Sequence, residues 1–324
     1  MKKSELIDGH IETITNKNLT WIDVMKPNRD KINILAQRYP FHELNLDDCL
    51  SKVQIPKIDK YQDHIFIILH FPTTIKKEEN IPQFSQLSIF IGLNYLVTIH
   101  QGDLKPLVEK FLMCLSYEKE REAFMNESSG HLLYNIIDTL VDDLFNTLIK
   151  VVDDLHNIED DVFNPKSAIA KEISLIRREI TALRRIIIPL RRIIMYMTND
   201  IQQFSEQDLT LYFDNVKDHI DKVLEALEES KETIEIYKDT DYMLSTEKTN
   251  KILAVLTILF TLSIPSAIIG TLYGMNVNLP GGIETGSWYL FGSYTTFILL
   301  LILSLLSALL MAWYFHRVGW IRIK

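Results

Sequence analysis

The hydrophobic positions of this chain fall into three regimes. From residue 1 to about 105, short β-type runs alternate with turn residues. Leu19-Thr20-Trp21-Ile22-Asp23-Val24 predicts one strand. Tyr61 to Phe71, rich in Ile and Phe, predicts a stronger one, ended by Pro72 because proline cannot donate to a sheet ladder. Gln86 to Ile91 and Tyr95 to His100 read as a hairpin joined at Gly92-Leu93-Asn94. Helical patterns lie between, near 28–38 and 45–51, so residues 1–105 form a mixed α/β domain.

In the second regime, residues 106–206, apolar residues recur at helical spacing, as in Leu140, Leu144, Leu148, Val151, Val152 and Leu155. This predicts antiparallel helices. The first breaks at Asn164-Pro165, because the residue before proline is pushed out of the α region. The second runs from about 168 to 200, with Pro189 a candidate kink. Asp142-Asp143, Asp153-Asp154 and Glu159-Asp160-Asp161 punctuate the first helix, and Arg177-Arg178, Arg184-Arg185 and Arg191-Arg192 the second. The acidic positions read as a solvated face or as a surface that concentrates cations, and acid–base pairing between these two helices is the preferred account of both faces. A third helix starts near Gln207 and meets no glycine or proline before Pro265. Continued through residue 272 it has some 65 residues and a length on the order of 100 Å, too long for one compact domain. It reads as a stalk entering a bilayer.

The third regime is uncharged. Residues 252–272 carry no charge over 21 positions, and residues 289–315 make a second apolar stretch of 27. A span needs about 20 apolar residues, whereas buried core helices seldom run uncharged so long. Lys248 and Lys251 precede the first span; His316, Arg317, Arg322 and Lys324 follow the second; the loop between carries only Glu284. The positive-inside rule then puts both termini in the cytoplasm. Trp288, Tyr289, Trp313 and Tyr314 sit at span ends, where amphipathic aromatics anchor. The opening MKKSELIDGH has no apolar run behind its lysines, so no cleavable signal peptide is expected.

Composition narrows the function. A net charge of -9 argues against a general nucleic-acid binder. Cys49 and Cys114 make no disulfide framework and suit a reducing compartment. His64, His70 and His100 lie in or beside strands without zinc-site spacing and read as packing residues. No phosphate-binding loop, nucleophile elbow, His-Glu-x-x-His or dinucleotide fingerprint is present, so neither an enzyme nor an ATP-driven pump is expected.

The first span is the more polar. Asn250, Thr257 and Thr271 repeat every seven residues, with Ile264 completing the series, and Leu253, Phe260 and Ala267 form a neighbouring stripe. A seven-residue period keeps one face toward an axis when several copies pack together. Polar residues inside a membrane usually face a bundle interior or a water path, although hydroxyls can also satisfy their own backbone.

The stripe ends at Tyr273-Gly274-Met275-Asn276, at the outer end of the first of two C-terminal spans. In that place the motif resembles the signature of the CorA family of Mg²⁺ channels. Pro56-Lys57-Ile58, Tyr61 to Phe71 and Leu96-Val97-Thr98-Ile99-His100 resemble its cytosolic domain, and Tyr212-Phe213, Val216 and Asp218-His219 the start of its stalk helix. Pro265 and a basic tail with Trp320 also fit. The resemblance implies a funnel-shaped homopentamer with an α+β cytosolic domain (1–105), cytosolic helices (106–206), and a stalk continuing into a pore-lining helix (207–272). An external loop (273–288), a second span (289–315) and a cytoplasmic tail (316–324) complete it.

It further implies passive uptake of Mg²⁺, or of Co²⁺ or Ni²⁺, across the cell membrane, gated by intracellular Mg²⁺. Asn276 would place amide oxygens around the entrance, with Gly274 allowing close backbone approach. Such neutral acceptors hold a hydrated ion without trapping it. Leu253, Leu256 and Phe260 would be apolar constrictions, and Asn250 and Thr271 polar rings. The family's regulatory Mg²⁺ lies between subunits on an Asp that is Asn215 here, which leaves Asp214 and Asp218, with Glu78 and Glu79 of a neighbour, as the candidates. After the motif, Val277-Asn278-Leu279-Pro280-Gly281-Gly282 replaces the family's usual Met-Pro-Glu. Transport of zinc, as in the ZntB type, therefore stays open, as does a membrane-tethered sensor or scaffold.

Overall fold

A computed structural model describes residues 5–7, 11–51, 54–73, 83–125, 127–164, 169–275, 290 and 294–319. The chain forms two compact units, Met1–Thr240 and Asp241–Lys324.

The first unit is built on a seven-stranded sheet. Its strands are β1 (Glu5–Ile7), β2 (Ile11–Asn16), β3 (Leu19–Met25), β4 (Lys57–Lys60), β5 (His64–Thr73), β6 (Gln83–Gly92) and β7 (Tyr95–His100). They lie in the order β1-β2-β3-β7-β6-β5-β4. Only β3 and β7 pair in parallel. Both faces are covered, so β5 reads as an unbroken apolar run rather than an alternation. Ile65, Ile67, Leu69 and Phe71 join one core and Phe66 and Ile68 the other. The expected hairpin forms with Leu93-Asn94 at its tip, and a Cβ on Gly92 would meet the Tyr95 ring at 2.5 Å. The expected stop at Pro72 is corrected, since β5 runs on to Thr73 with Pro72 opposite Phe84. Strand β4 pairs with β5 only as far as Ile68. Beyond that point β5 is an edge, where a missing N–H is tolerated.

Helices α1 (Arg29–Arg38) and α2 (Glu43–Leu50) pack one face, contributing Ile32, Leu35, Leu46 and Cys49. Asn28 caps α1 by accepting from the Lys31 N–H at 2.9 Å. The opposite face carries α3 (Lys105–Ser116), α4 (Glu118–Phe124), α5 (Ser129–Val162) and α6 (Ala170–Ile201), and it extends onto α7 (Thr210–Gly274). Buried Ile173, Ile176, Ile180, Leu183, Ile187, Leu190, Ile194 and Met197 form the core stripe of α6. That stripe keeps α6 helical through Pro189, against a cost of about 3 kcal/mol for an interior proline.

The arginine pairs do not meet the acids of α5. Arg177 pairs with Glu235, Arg184 with Glu228 and Arg191 with Asp221, all on α7. Both series advance by seven residues in opposite directions, which locks the register of α6 against α7. The Arg191 hydrogen bond holds the Asp221 carboxyl below the usual carboxylate range. The histidines behave as packing groups. His64 stacks on Tyr61 and His70 on Phe84, with ring centroids 4.6 and 4.3 Å apart, and burial lowers the His70 pKa. His100 is held by buried Asp23 (3.1 Å), which also accepts from Thr98 (2.6 Å). Thr98 in turn accepts from the Trp21 indole at 3.1 Å. Burial pushes the thiols of Cys49 and Cys114 up to about 12 and about 11, so neither is reactive.

The second unit contains the C-terminal part of α7, interrupted by no break at Pro265, and α8 (Thr295–Arg317). Both are long and apolar enough to cross a membrane, and almost none of either apolar stretch is buried within the chain.

Candidate ion pathway and metal-binding residues

In the second unit, one face of α7 is covered and the other is open. Ile258, Leu262, Pro265, Ile269 and Tyr273 are half-buried. Ser266 exchanges a short hydroxyl hydrogen bond with Ser304 of α8. On α8 the half-buried positions include Ser304, Ser307, Ala308 and Ala312, a small-residue face of the kind that lets membrane helices approach closely. At 100° per residue the covered face of α7 lies about 150° from Asn250, Leu253, Thr257, Phe260, Ile264, Ala267 and Thr271. All seven, and Leu256 at the edge of their stripe, are exposed. The heptad stripe lies within the surface that a single chain leaves uncovered, together with Ile252, Val255, Leu259 and Leu272 beside it.

The hydroxyls on that stripe bond their own backbone. Thr257 donates to the Leu253 carbonyl and Thr271 to the Ala267 carbonyl, both at 2.8 Å. This is the backbone role open to any membrane threonine, and it has a chemical consequence. With the proton committed, each oxygen presents only lone pairs to the open face. Water around a cation offers only protons outward, so such oxygens suit a hydrated cation. Gly274 has nothing within 4 Å of a Cβ position. Asn276 lies outside the described residues, as do Glu78 and Glu79.

In the first unit, Asp214 and Asp218 are exposed on α7, with Lys217 Nζ 3.5 Å from Asp218. The structure brings together a different set: Asp138 and Asp142 of α5 and His219 of α7, whose ligand atoms lie within 4.8 Å of one another. His219 Nδ1 is 3.5 Å from Asp142, and its ring sits edge-on to Phe145. One Asp138 carboxylate oxygen and His219 Nδ1 are buried without a hydrogen-bond partner. Burial, then the charge of Asp142, raises the Asp138 pKa. Two orphaned ligand atoms beside a second carboxylate fit a divalent cation. The imidazole favours a first-row metal such as Co²⁺, Ni²⁺ or Zn²⁺ over Mg²⁺, which prefers oxygen. Asp142 and His219 were each visible in the sequence, but their meeting depends on how α5 packs on α7. The only local signal was the four-residue spacing of Asp138 and Asp142, which puts both on one helix face.

The family model described as CorA-like Mg²⁺ transporter protein matches residues 16–317. The Bacillus subtilis protein YfjQ is 28 % identical over 304 residues, spanning 94 % of this chain and 90 % of that one. The cobalt/magnesium transport protein CorA of Thermotoga maritima is 26 % identical over 79 % of this chain and 73 % of its own. Among solved structures, the complete CorA magnesium transporter of Methanocaldococcus jannaschii superposes with a TM-score of 0.78 at 23 % identity, covering 95 % of this chain and 94 % of that one.

Proposed function

The chain belongs to the CorA-like Mg²⁺ transporter family, and we propose that it is the subunit of a divalent-cation channel whose axial path is lined by α7. The carrying observation is the open stripe on α7, opposite the face that α8 covers. An anchor for a sensor or scaffold needs no such stripe. In a homopentamer, Asn250, Thr257 and Thr271 form acceptor rings, and Leu253, Leu256, Phe260, Ile264 and Ala267 form apolar stretches that gate by dewetting. Tyr273-Gly274-Met275-Asn276 forms the outer entrance, and Asn276 selects the hydrated ion. Both termini face the cytoplasm. Inward flux is passive, driven by the membrane potential at about 2.3 kcal/mol per charge per 100 mV.

The transported ion is Mg²⁺ in this reading, and gating follows occupancy of a cytosolic site by the same class of ion. Asp138, Asp142 and His219 hold the gating ion in preference to Asp214 and Asp218, because their ligand atoms converge. The nitrogen donor supports a second reading in which Co²⁺, Ni²⁺ or Zn²⁺ is the ion sensed or carried. Flux into liposomes carrying the purified protein tests both. Mg²⁺ entry that Asn276→Ala abolishes or alters supports the channel and the entrance. Entry of Zn²⁺ or Co²⁺ without Mg²⁺ keeps the channel and changes the ion. No divalent flux through a folded oligomer moves the function to a sensor or scaffold.

A further inference from the structure

A second acidic feature lies farther along α5 and α6. Asp154 lies three turns beyond Asp142 on α5, on the order of 18 Å. There Asp154 and Asn157 face Glu172 and Glu179 of α6 across a groove of 280 Å³ floored by Ile158 and Ile176. Glu179 is the unusual member. It is only 8 % exposed and lines the groove, yet among the described residues no hydrogen bond or ion pair reaches it. The one cation that acts on it is Lys150, while Asp154 opposes it. Both carboxyls are pushed above the ordinary range, each first by burial, then Glu179 by the charge of Asp154 and Asp154 by that of Asp153. The Glu179 carboxylate oxygens are not among the fully buried unpartnered atoms, so they reach the groove, where a partly desolvated carboxylate without a donor is stabilised by an entering cation.

We propose that this groove binds a hydrated divalent cation, held through its water shell by Glu179, Asp154 and Glu172, at a site separate from the ion path and from the Asp138 cluster. Among the described residues, only the Asp138 cluster gathers three ligand atoms within 4.8 Å of one another. The three groove carboxylates do not converge to that degree, which favours acceptance from coordinated water over direct ligation by all three. Mg²⁺ is the ion that keeps its waters most readily. Six waters at about 30 Å³ each fit the groove, and the apolar floor of Ile158 and Ile176 leaves the carboxylates and the Asn157 amide oxygen as the acceptors.

Hydrogen exchange on the full-length protein in detergent tests the site. Mg²⁺ protects peptides covering residues 150–162 and 170–180. Hexaamminecobalt(III), whose ligands do not exchange and which mimics hydrated Mg²⁺, does the same. Glu179→Gln, of equal size, raises the Mg²⁺ concentration needed for that protection at least tenfold, as does Asp154→Asn, and both leave the Mg²⁺ response around residues 138–142 and 219 intact. Asp142→Asn does the reverse. Unchanged exchange elsewhere establishes that each variant is folded. The proposal is overturned if Mg²⁺ leaves these peptides unprotected in the wild type, if the variants respond as the wild type does, or if hexaamminecobalt(III) fails where Mg²⁺ succeeds.

Discussion

At the scale of single residues, the first unit holds two kinds of sheltered carboxyl. Asp23 is fully supported by Thr98 and His100. Removing it strands both partners, so Asp23→Ala should destabilise the protein by about 3 kcal/mol in thermal or denaturant unfolding. Asp138 is the opposite case. Its folded pKa is raised, so ionisation works against folding, and the stability it contributes in acid is lost as pH rises through the unfolded value and on to the folded one. Near pH 7 and without divalent ions, Asp138→Asn should therefore raise the melting temperature by about 2–4 °C. The same change should abolish most of the further rise that Co²⁺ or Mg²⁺ gives the wild type. A variant with lower stability in chelator and an unchanged metal response would dissociate Asp138 from any metal. The candidate ion path was readable in the sequence residue by residue, because a heptad stripe is a local pattern. It hid the Asp138–Asp142–His219 cluster because those ligands sit on helices some eighty residues apart in the chain.

At the scale of elements, helix limits were legible from punctuation. The break at Asn164-Pro165 matches the end of α5 at Val162, and the stalk expected from Gln207 begins at Thr210. Partner choice was missed. The arginine series of α6 has acids on both neighbouring helices, but only α7 keeps its seven-residue step through three of them, as in Asp221, Glu228 and Glu235, and packing joins those. Each bridge is partly exposed and contributes little alone, so the ladder acts chiefly on register. Arg184→Glu should lower stability, Glu228→Arg should do likewise, and the double exchange should recover most of the loss, which a double-mutant cycle on unfolding measures. Recovery by an acid-to-arginine exchange on α5 instead would restore the pairing first expected. Because the Asp221 pKa is lowered, its bridge contributes fully above the ordinary carboxylate value near 4 and fades as pH falls through the folded value. Acid unfolding of Arg191→Ala should accordingly be less steep below pH 4 than that of the wild type.

At the scale of the whole molecule, the single chain is incomplete in a specific way. It is a metal-ion transporter of the CorA family, yet the polar heptad stripe of its first span points away from its own second span. A lone span gains nothing from three acceptors exposed to lipid. A ring of copies turns them inward to water, so the stripe predicts who its neighbours are. Both native cysteines are buried, so introduced ones report alone. Phe260→Cys, on the open face, should form oxidative cross-links between subunits in native membranes, giving covalent dimers on denaturing gels. The pair Ser266→Cys and Ser304→Cys should close within one chain, where the two side chains already touch. Ile258→Cys, on the face α8 covers, should link subunits poorly. Equal cross-linking from Ile258 and Phe260 would mean that α7 turns no particular face to its neighbours, and the axial path would then have to be built from some other helix.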